Sequence, residues 1–396
     1  MTDNGTANRS LSSEGLGVYV HIPFCLQKCP YCDFVSGPFD QSARLGYLAA
    51  LEREIRQSAW AGRSVNTVYF GGGTPSELST DELKVLALAV RETFAIDAAS
   101  EWSIECNPET VAPESLEGMS RFGFNRISLG IQSFQARQLQ LLGRAHTGEE
   151  SIRAYRLVRA AGFENVNLDL IFAVPGQTLD HWKRDLDEAL ALAPEHLSLY
   201  GLTIEEGTEF GERHSRGELE AIDEEGTAEM YEVALDLALE SGFDQYELSS
   251  FARPGRACLH NLGYWNYLPY LGFGIGAASF LNGTRWTNTT VLRDYLRGAF
   301  SGEICRATEK RLQGKEALGE ELMLGLHTQT GVSLGSLSVR YGCDVEQVYA
   351  DSFQLLTGQG LIELEDDRAR LTRKGKLVAA EVCAEFLPIE EPIPLG

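Results

Sequence analysis

The sequence predicts an α/β protein built on a parallel sheet, followed by a smaller helical region. Three observations predict it. From Gly17 to about Leu239, short β-branched or apolar runs alternate with amphipathic stretches six times, the pattern of strand and crossover-helix units. Polar and special residues gather just after each apolar run, where barrels and open α/β sheets alike carry their active face. The composition, 43% apolar and 23% charged over 396 residues, is that of a globular chain with a large core.

The predicted strands are Val18–Ile22, Val65–Phe70, Trp102–Cys106, Arg126–Ile131, Val166–Phe172 and His196–Tyr200. Helical patterns follow over about 42–59, 81–94, 113–122, 149–161, 179–192 and 224–239. The second opens on Ser79-x-x-Glu82, a capping box. Six units fall short of the eight of a closed barrel. A partial barrel and an open doubly wound sheet are the two options, and periodicity does not separate them. After the strands come Cys25, Cys29 and Cys32, then Gly71-Gly72-Gly73-Thr74-Pro75, Glu105, Gln132, Asp169 and Tyr200-Gly201. From Asp244 the texture turns Gly- and aromatic-rich. Helical patterns over 315–326, 334–341 and 345–357 precede a hairpin at 361–371 and a last helix, which is a winged-helix pattern.

Charge narrows the partners. The net charge is −23, which repels phosphate backbones and anionic lipid. Residues 310–396 hold 9 Lys and Arg against 14 Asp and Glu, so protein docking or a lid suits the winged-helix pattern better than DNA. No run of about 18 apolar residues is present, so no membrane insertion is expected. Residues 1–15 are polar and read as a disordered tail without a signal sequence. Eight cysteines are too sparse for a disulfide scaffold, and three of them fall within eight positions. In a cytoplasmic chain that marks a metal or redox site. Cys106, Cys305, Cys343 and Cys383 read as ordinary buried thiols.

The three are spaced C-x3-C-x2-C in Tyr19 to Phe34. A loop so spaced can turn Cys25, Cys29 and Cys32 toward one point. A 4Fe–4S cube takes four thiolates, so three leave one iron open to a ligand. A zinc knuckle and plain buried thiols are the alternatives, although zinc prefers paired CxxC or Cys/His sets and His21 is an awkward fourth ligand. The glycine run Gly71–Gly73 lets backbone approach a ligand closely. Glu105 and Asp169 can accept hydrogen bonds from a ribose or an amino group, and Arg144 offers a planar fork to a carboxylate. Singly, each is equally a surface charge or a helix-end partner.

The cysteine motif with Gly71–Pro75 resembles the radical S-adenosylmethionine (SAM) superfamily. There the open iron binds SAM, and a reduced cluster cleaves it to a 5′-deoxyadenosyl radical. The fold implied is a radical SAM partial (β/α)6 barrel with a C-terminal winged-helix-like domain. Over almost the whole chain the resemblance narrows to the family of oxygen-independent coproporphyrinogen III oxidase and the HemW-type haem chaperones. It rests on Tyr19–Phe34, Gly71–Pro75, Ser103–Pro108, Gly130–Phe134, Arg144, Asp169–Ile171 and Pro175–Thr178. It implies that Tyr19, Gly72, Glu105 and the cluster mark one SAM site. Tyr31, Gly73, Thr74, Gln132, Arg144 and Asp169 match positions the oxidase uses for a second SAM.

Two departures from the oxidase point to the chaperone branch. Phe34 stands where the oxidase has a fourth cysteine, and only 24 residues precede Cys25. His260-Asn261-Leu262-Gly263-Tyr264-Trp265 fits the HNxxYW motif of that branch, which is linked to haem. Haem needs an axial ligand and an apolar, aromatic pocket. His260 is the candidate ligand, Cys258 its rival, and Tyr264, Trp265, Tyr267, Tyr270 and Phe273 supply flat apolar area. A hydrogen-bonded core histidine is the plainer alternative. The expected organisation is the tail to 15, the barrel over 16–241, an aromatic and Gly-rich connecting segment over 242–307, and the winged-helix-like domain over 308–396.

The implied function is a haem carrier with a 4Fe–4S cluster, SAM and haem. Its partners are acceptor haemoproteins, an electron donor and, given the acidic surface with aromatic segments, a second copy in a homodimer. The rival is radical decarboxylation of coproporphyrinogen III, with a radical methyltransferase or haem-ring-opening enzyme as variants and a winged-helix regulator as the last alternative.

Overall fold

The computed structural model describes residues 15–303 and 305–387. The expected tail, Gly15 aside, and residues 388–396 lie outside them. Six strands, β1 (Leu16–Ile22), β2 (Ser64–Gly72), β3 (Ala95–Cys106), β4 (Arg126–Gln132), β5 (Val166–Phe172) and β6 (His196–Gly201), pair parallel to one another. They lie side by side in chain order. A doubly wound sheet reverses its strand order at a switch point. This one does not, so every crossover winds the same way and the sheet is a partial barrel.

Alternation builds the wall. Val18, Val20 and Ile22 of β1 and Val65, Val68 and Phe70 of β2 are fully buried in the main core. That core also takes Tyr47, Leu51 and Ile55 from the helix Gln41–Arg56, and Leu83, Leu86 and Val90 from the helix Thr80–Thr93. The capping box at Ser79 and Glu82 is formed as predicted. Intervening positions carry polar groups that bond across strands. Ser128 donates to Asp169 (2.9 Å) and Asn167 to Ser128 (2.6 Å).

The segment over 242–307 is not a connector. It adds strands to both edges of the barrel. β7 (Asp244–Glu247) and β8 (Ser250–Ala252) extend the sheet antiparallel beyond β6. β9 (Tyr270–Phe273) pairs parallel with β1 and leads to antiparallel β10 (Ala278–Leu281), β11 (Thr284–Asn288) and β12 (Arg306–Arg311). These strands are three to six residues long, too short for a periodicity to stand out among glycines.

Between the two additions, the helix Leu259–Trp265 closes the amino-terminal end of the barrel. Its first N–H groups lack intrahelical partners. Glu101 of β3, 2% exposed, accepts from the Leu259 N–H (3.0 Å) and the His260 N–H (3.1 Å). Arg126 of β4, 1% exposed, shares this interior and offsets the Glu101 charge.

The C-terminal region keeps its own core around Leu322, Leu337, Phe353 and Phe386. The helices Gly314–Leu326, Leu334–Tyr341 and Ala350–Gly358 pack with a small antiparallel sheet of Val332–Ser333, Arg368–Leu371 and Ile362–Glu365, a winged-helix-like arrangement. The helix predicted over 345–357 breaks at Tyr349, whose hydroxyl reaches the Phe386 carbonyl (3.2 Å). The region docks through Leu248 N–H to His327 O (3.1 Å), Gln329 N–H to Tyr246 O (3.0 Å) and the Trp265 ring stacked on His327 at 4.6 Å.

Glu101→Ala strands two buried N–H groups and leaves Arg126 without its counter-charge. A loss of about 2–5 kcal/mol is expected, read as a lower urea midpoint. A change below about 1 kcal/mol would show that the closing helix is held by packing alone.

Candidate functional site

The loops leaving the carboxyl ends of the six parallel strands enclose one cavity of about 450 Å³. Cys25, Cys29, Tyr31 and Cys32 line it from the loop after β1, and Gly72, Gly73 and Thr74 from the end of β2. Glu105, Gln132, Arg144 and Asp169 complete it. The structure thus gathers the cysteines and every predicted SAM-site residue except Tyr19.

The cysteine loop is held at both ends. Gly73 N–H donates to Ile22 O and Thr74 N–H to Phe24 O (both 2.7 Å), carrying the β1–β2 ladder past the strand ends. Cys25 N–H donates to Gly37 O (3.0 Å) and Gly37 N–H to Pro23 O (2.9 Å). A side chain at Gly73 would stand 2.6 Å from Phe24 O and 3.0 Å from Cys25 Sγ. Gly72 has φ +115°, and a Cβ there would meet the His21 ring at 2.5 Å. These two glycines make the cradle.

A chain of hydrogen bonds joins the loops and ends on sulfur at both ends. Thr74 Oγ1 donates to Cys25 Sγ (3.6 Å), and Asn107 Nδ2 donates to Thr74 Oγ1 (3.0 Å). Arg144 Nη2 donates to Asn107 Oδ1 (2.5 Å) and to Gly130 O (3.1 Å), while Nη1 reaches Cys29 Sγ (3.6 Å). Arg144 Nε is buried and unpartnered. All three cysteines are free and half-buried. Among the described residues no three His, Cys, Asp or Glu side chains come together as ligands of one metal ion. Three thiols on one loop at the cavity are the donor set a cluster with one open iron takes.

The floor is acidic. Glu105 accepts from Tyr69 Oη (2.9 Å) and Gly72 N–H (3.0 Å). Burial, then the charge of Asp169, pushes its carboxyl up to about 7. Burial also raises Asp169, which accepts from Ser128 and Asn167. Two buried carboxyls facing a cavity suit a cation. Gln132 stands at φ +66° where the β4–β5 register slips between Gly130 and Gln132. A bulge of this kind re-aims a side chain at a backbone cost.

Tyr19 does not line this cavity. Its ring lies behind Tyr69 at 6.3 Å, and its hydroxyl donates to His21 Nδ1 (3.0 Å). His21 Nε2–H in turn must donate to the Val35 carbonyl (2.9 Å), which fixes the tautomer.

His260 is also elsewhere, one ring below the floor. It stacks on Tyr69 at 5.1 Å and is 3% exposed. Nδ1 bonds Thr67 Oγ1 and Nε2 bonds Tyr264 Oη, both at 2.8 Å. Burial lowers its pKa to about 3, so it is neutral, with no free nitrogen. Cys258 is fully buried, donates toward Glu101 (3.5 Å), and burial pushes its thiol up to about 12. Neither expected haem ligand presents a free atom in this arrangement. Of the cysteines read as buried, Cys106 and Cys383 are, Cys343 is half-buried and Cys305 is exposed.

Sequence reasoning missed Asn107, which joins Thr74 to Arg144, and Tyr69, which carries Glu105. Asn107 lies in a quoted motif but shows its bridging role only in three dimensions. Tyr69 shares strand parity with Gly71, and that alternation was its one signal.

Residues 19–189 match the model of the radical SAM superfamily, and residues 312–378 that of the HemN C-terminal domain. The chain is similar to the heme chaperone HemW of Lactococcus lactis, with 34% identity over 93% of this chain and 96% of the relative. Against the heme chaperone HemW of Bacillus subtilis the identity is 36%, over 93% and 98%. Among solved structures, coproporphyrinogen III oxidase (HemN) from Escherichia coli, a radical SAM enzyme, superposes with a TM-score of 0.83. It is 24% identical, with 94% of this chain and 90% of that chain covered, which supports the fold.

Two outcomes are expected here. Gly73→Ala should displace Cys25 and lower iron and sulfide bound after reconstitution while circular dichroism stays native; full loading would show that the loop yields. Glu105 has a folded pKa of about 7 against about 4.3 unfolded. The folded state therefore holds the proton longer, and stability falls as pH rises from about 4 through 7. Glu105→Gln should raise stability at pH 8 by on the order of 1–3 kcal/mol while weakening SAM binding. Glu54, also pushed up to about 7 by burial, keeps the remaining pH slope. Urea titrations at pH 5 and pH 8 measure this.

Proposed function

Because the chain belongs to the HemW family of the radical SAM superfamily, we infer that it is a haem chaperone. It binds haem and hands it to apo-haemoproteins, with a 4Fe–4S cluster and SAM controlling loading or release. One observation carries the choice over the oxidase. Phe34 lines the cavity, 60% exposed, where the oxidase pattern has a further cysteine.

Cys25, Cys29 and Cys32 would hold the cluster, leaving one iron for SAM. When bound, the reduced cluster supplies one electron to the sulfonium of SAM. The chain's own residues do the rest. Thr74 donates to the Cys25 sulfur and Arg144 to the Cys29 sulfur, which orients both. The Arg144 guanidinium at the cavity wall offers a cation to the carboxylate of SAM. Glu105 and Asp169 offset a positive charge above the floor, and that charge in turn favours their ionised forms. Gly72 and Gly73 admit the ligand against bare backbone. Tyr31, Gln132 and Thr74 line the remaining wall. Tyr19, one ring removed, supports Tyr69 and through it Glu105. Free thiols at such a site need a reducing compartment, so the cytoplasm is the proposed location, with an electron donor as partner. Among the described residues no helix is long and apolar enough to cross a membrane.

The test loads the anaerobically reconstituted protein with haem, mixes it with an apo-haemoprotein, and assays coproporphyrinogen III turnover with SAM and reductant in parallel. Haem transfer without turnover is expected. Decarboxylation without haem binding would make the protein an oxidase and overturn the reading.

A further inference from the structure

One fully buried histidine lies behind the cluster cavity without lining it. His196 of β6 is enclosed in the barrel. Burial, then the Arg126 charge, pushes its pKa well below the ordinary value, so it is neutral. Its neighbours decide which nitrogen carries the proton.

The assignment starts at Asp169, because an ionised carboxylate only accepts hydrogen bonds. Asn167 Nδ2 donates to Asp169 Oδ1 (2.8 Å) and to Ser128 Oγ (2.6 Å), and Ser128 Oγ donates to Asp169 Oδ2 (2.9 Å). Both amide hydrogens of Asn167 are thereby used, and its Oδ1 must accept. It does so from Ser198 Oγ (3.2 Å) and from His196 Nδ1 (2.6 Å). The His196 proton therefore sits on Nδ1, and Nε2 accepts from Tyr246 Oη (2.8 Å). Tyr246 Oη in turn accepts from the Cys258 N–H (3.4 Å). From Cys258 to Asp169 every donor points the same way.

The sheet fixes this line. The strand register sets Ser128 of β4 beside Asn167 of β5, and Asn167 beside His196 of β6. Donors aligned head to tail polarise one another and strengthen the last bond, which here ends on a carboxylate at the cavity wall. Resting on the SAM-site reading above, we propose that Asn167, His196 and Tyr246 are positioning residues whose one-way donor chain holds Asp169 ionised and oriented for a cationic ligand. Other groups face Asp169 as well. Glu105 of β3 feels its charge, and Arg126 of β4 favours that charge. Burial keeps the hydroxyls of Tyr69 on β2 and Tyr200 on β6 protonated.

The test measures SAM affinity of the anaerobically reconstituted full chain by calorimetry between about pH 5 and pH 9. Affinity should fall as pH drops and Asp169 takes its proton. Asn167→Leu keeps the side-chain size and removes the amide. It should move that fall to higher pH by about one pH unit, a loss of about tenfold on the falling limb. Tyr246→Phe keeps the ring and touches nothing at the cavity. It should move the fall the same way by less, about twofold in affinity, and it carries the test if Asn167→Leu does not fold. In an Asp169→Asn background neither change should move the profile. An unmoved profile in Tyr246→Phe would overturn the proposal, as would a shift that persists without the Asp169 carboxyl, the mark of a merely structural role. Failure of the SAM-site reading looks different. Wild type would bind no SAM, or Asp169→Asn would bind it as tightly as wild type at every pH, and the proposal would fall with that reading.

Discussion

The site depends on one run of hydrogen bonds that begins and ends on sulfur. Cys25, Thr74, Asn107, Arg144 and Cys29 are linked in that order. The links come from the loops after four consecutive strands, and each strand is placed by its parallel neighbours. A thiolate is a weak, diffuse acceptor, so a loop of three has little to hold its shape by itself. Here the barrel supplies the shape. Two sulfurs are fixed against a threonine hydroxyl and a guanidinium that are themselves fixed by Asn107. Loss of Asn107 would release both ends together, although it touches neither sulfur.

Much of this was legible in the sequence. The six parallel strands stand out because each is buried on its helix-facing side and followed by an amphipathic helix, and their predicted limits fall within a few residues of those observed, apart from the exposed first half of β3. The cavity residues were legible because a parallel sheet brings its carboxyl ends together, so chemistry placed after each strand converges. The segment over 242–307 was not legible. Its strands are short and glycine-interrupted, and they take their order from neighbours distant in sequence. Tyr19 and His260 lie off the cluster cavity for a different reason. A motif names residues but not their place in the fold: Tyr19 pairs with Tyr69 one strand further from Glu105, and the helix turns His260 into the barrel's base.

The acidic floor shows function set against stability. Glu105 and Asp169 are both buried, which raises the cost of ionising each, and the Asp169 charge adds to it at Glu105. Arg126 relieves part of it from below. A fold selected only for stability would place apolar groups there, since removing buried charges in favour of packed hydrocarbon is often neutral or better. The retained carboxyls make sense as a preformed seat for positive charge, whose arrival recovers what burial had cost.

The helix Leu259–Trp265 bounds three things at once. Glu101 binds its start, Tyr264 walls a separate aromatic cavity with Tyr267, Tyr270 and Phe280, and Trp265 carries the stack on His327. Above it, His260 touches Tyr69, which carries Glu105. The cluster cavity and the aromatic cavity are joined through three touching rings, Tyr69, His260 and Tyr264. Thermodynamic linkage requires that any free energy an occupant of one cavity gains by ordering that helix be returned, in equal measure, to an occupant of the other. The C-terminal region, stacked on the last ring of that helix, is tied into the same chain of contacts.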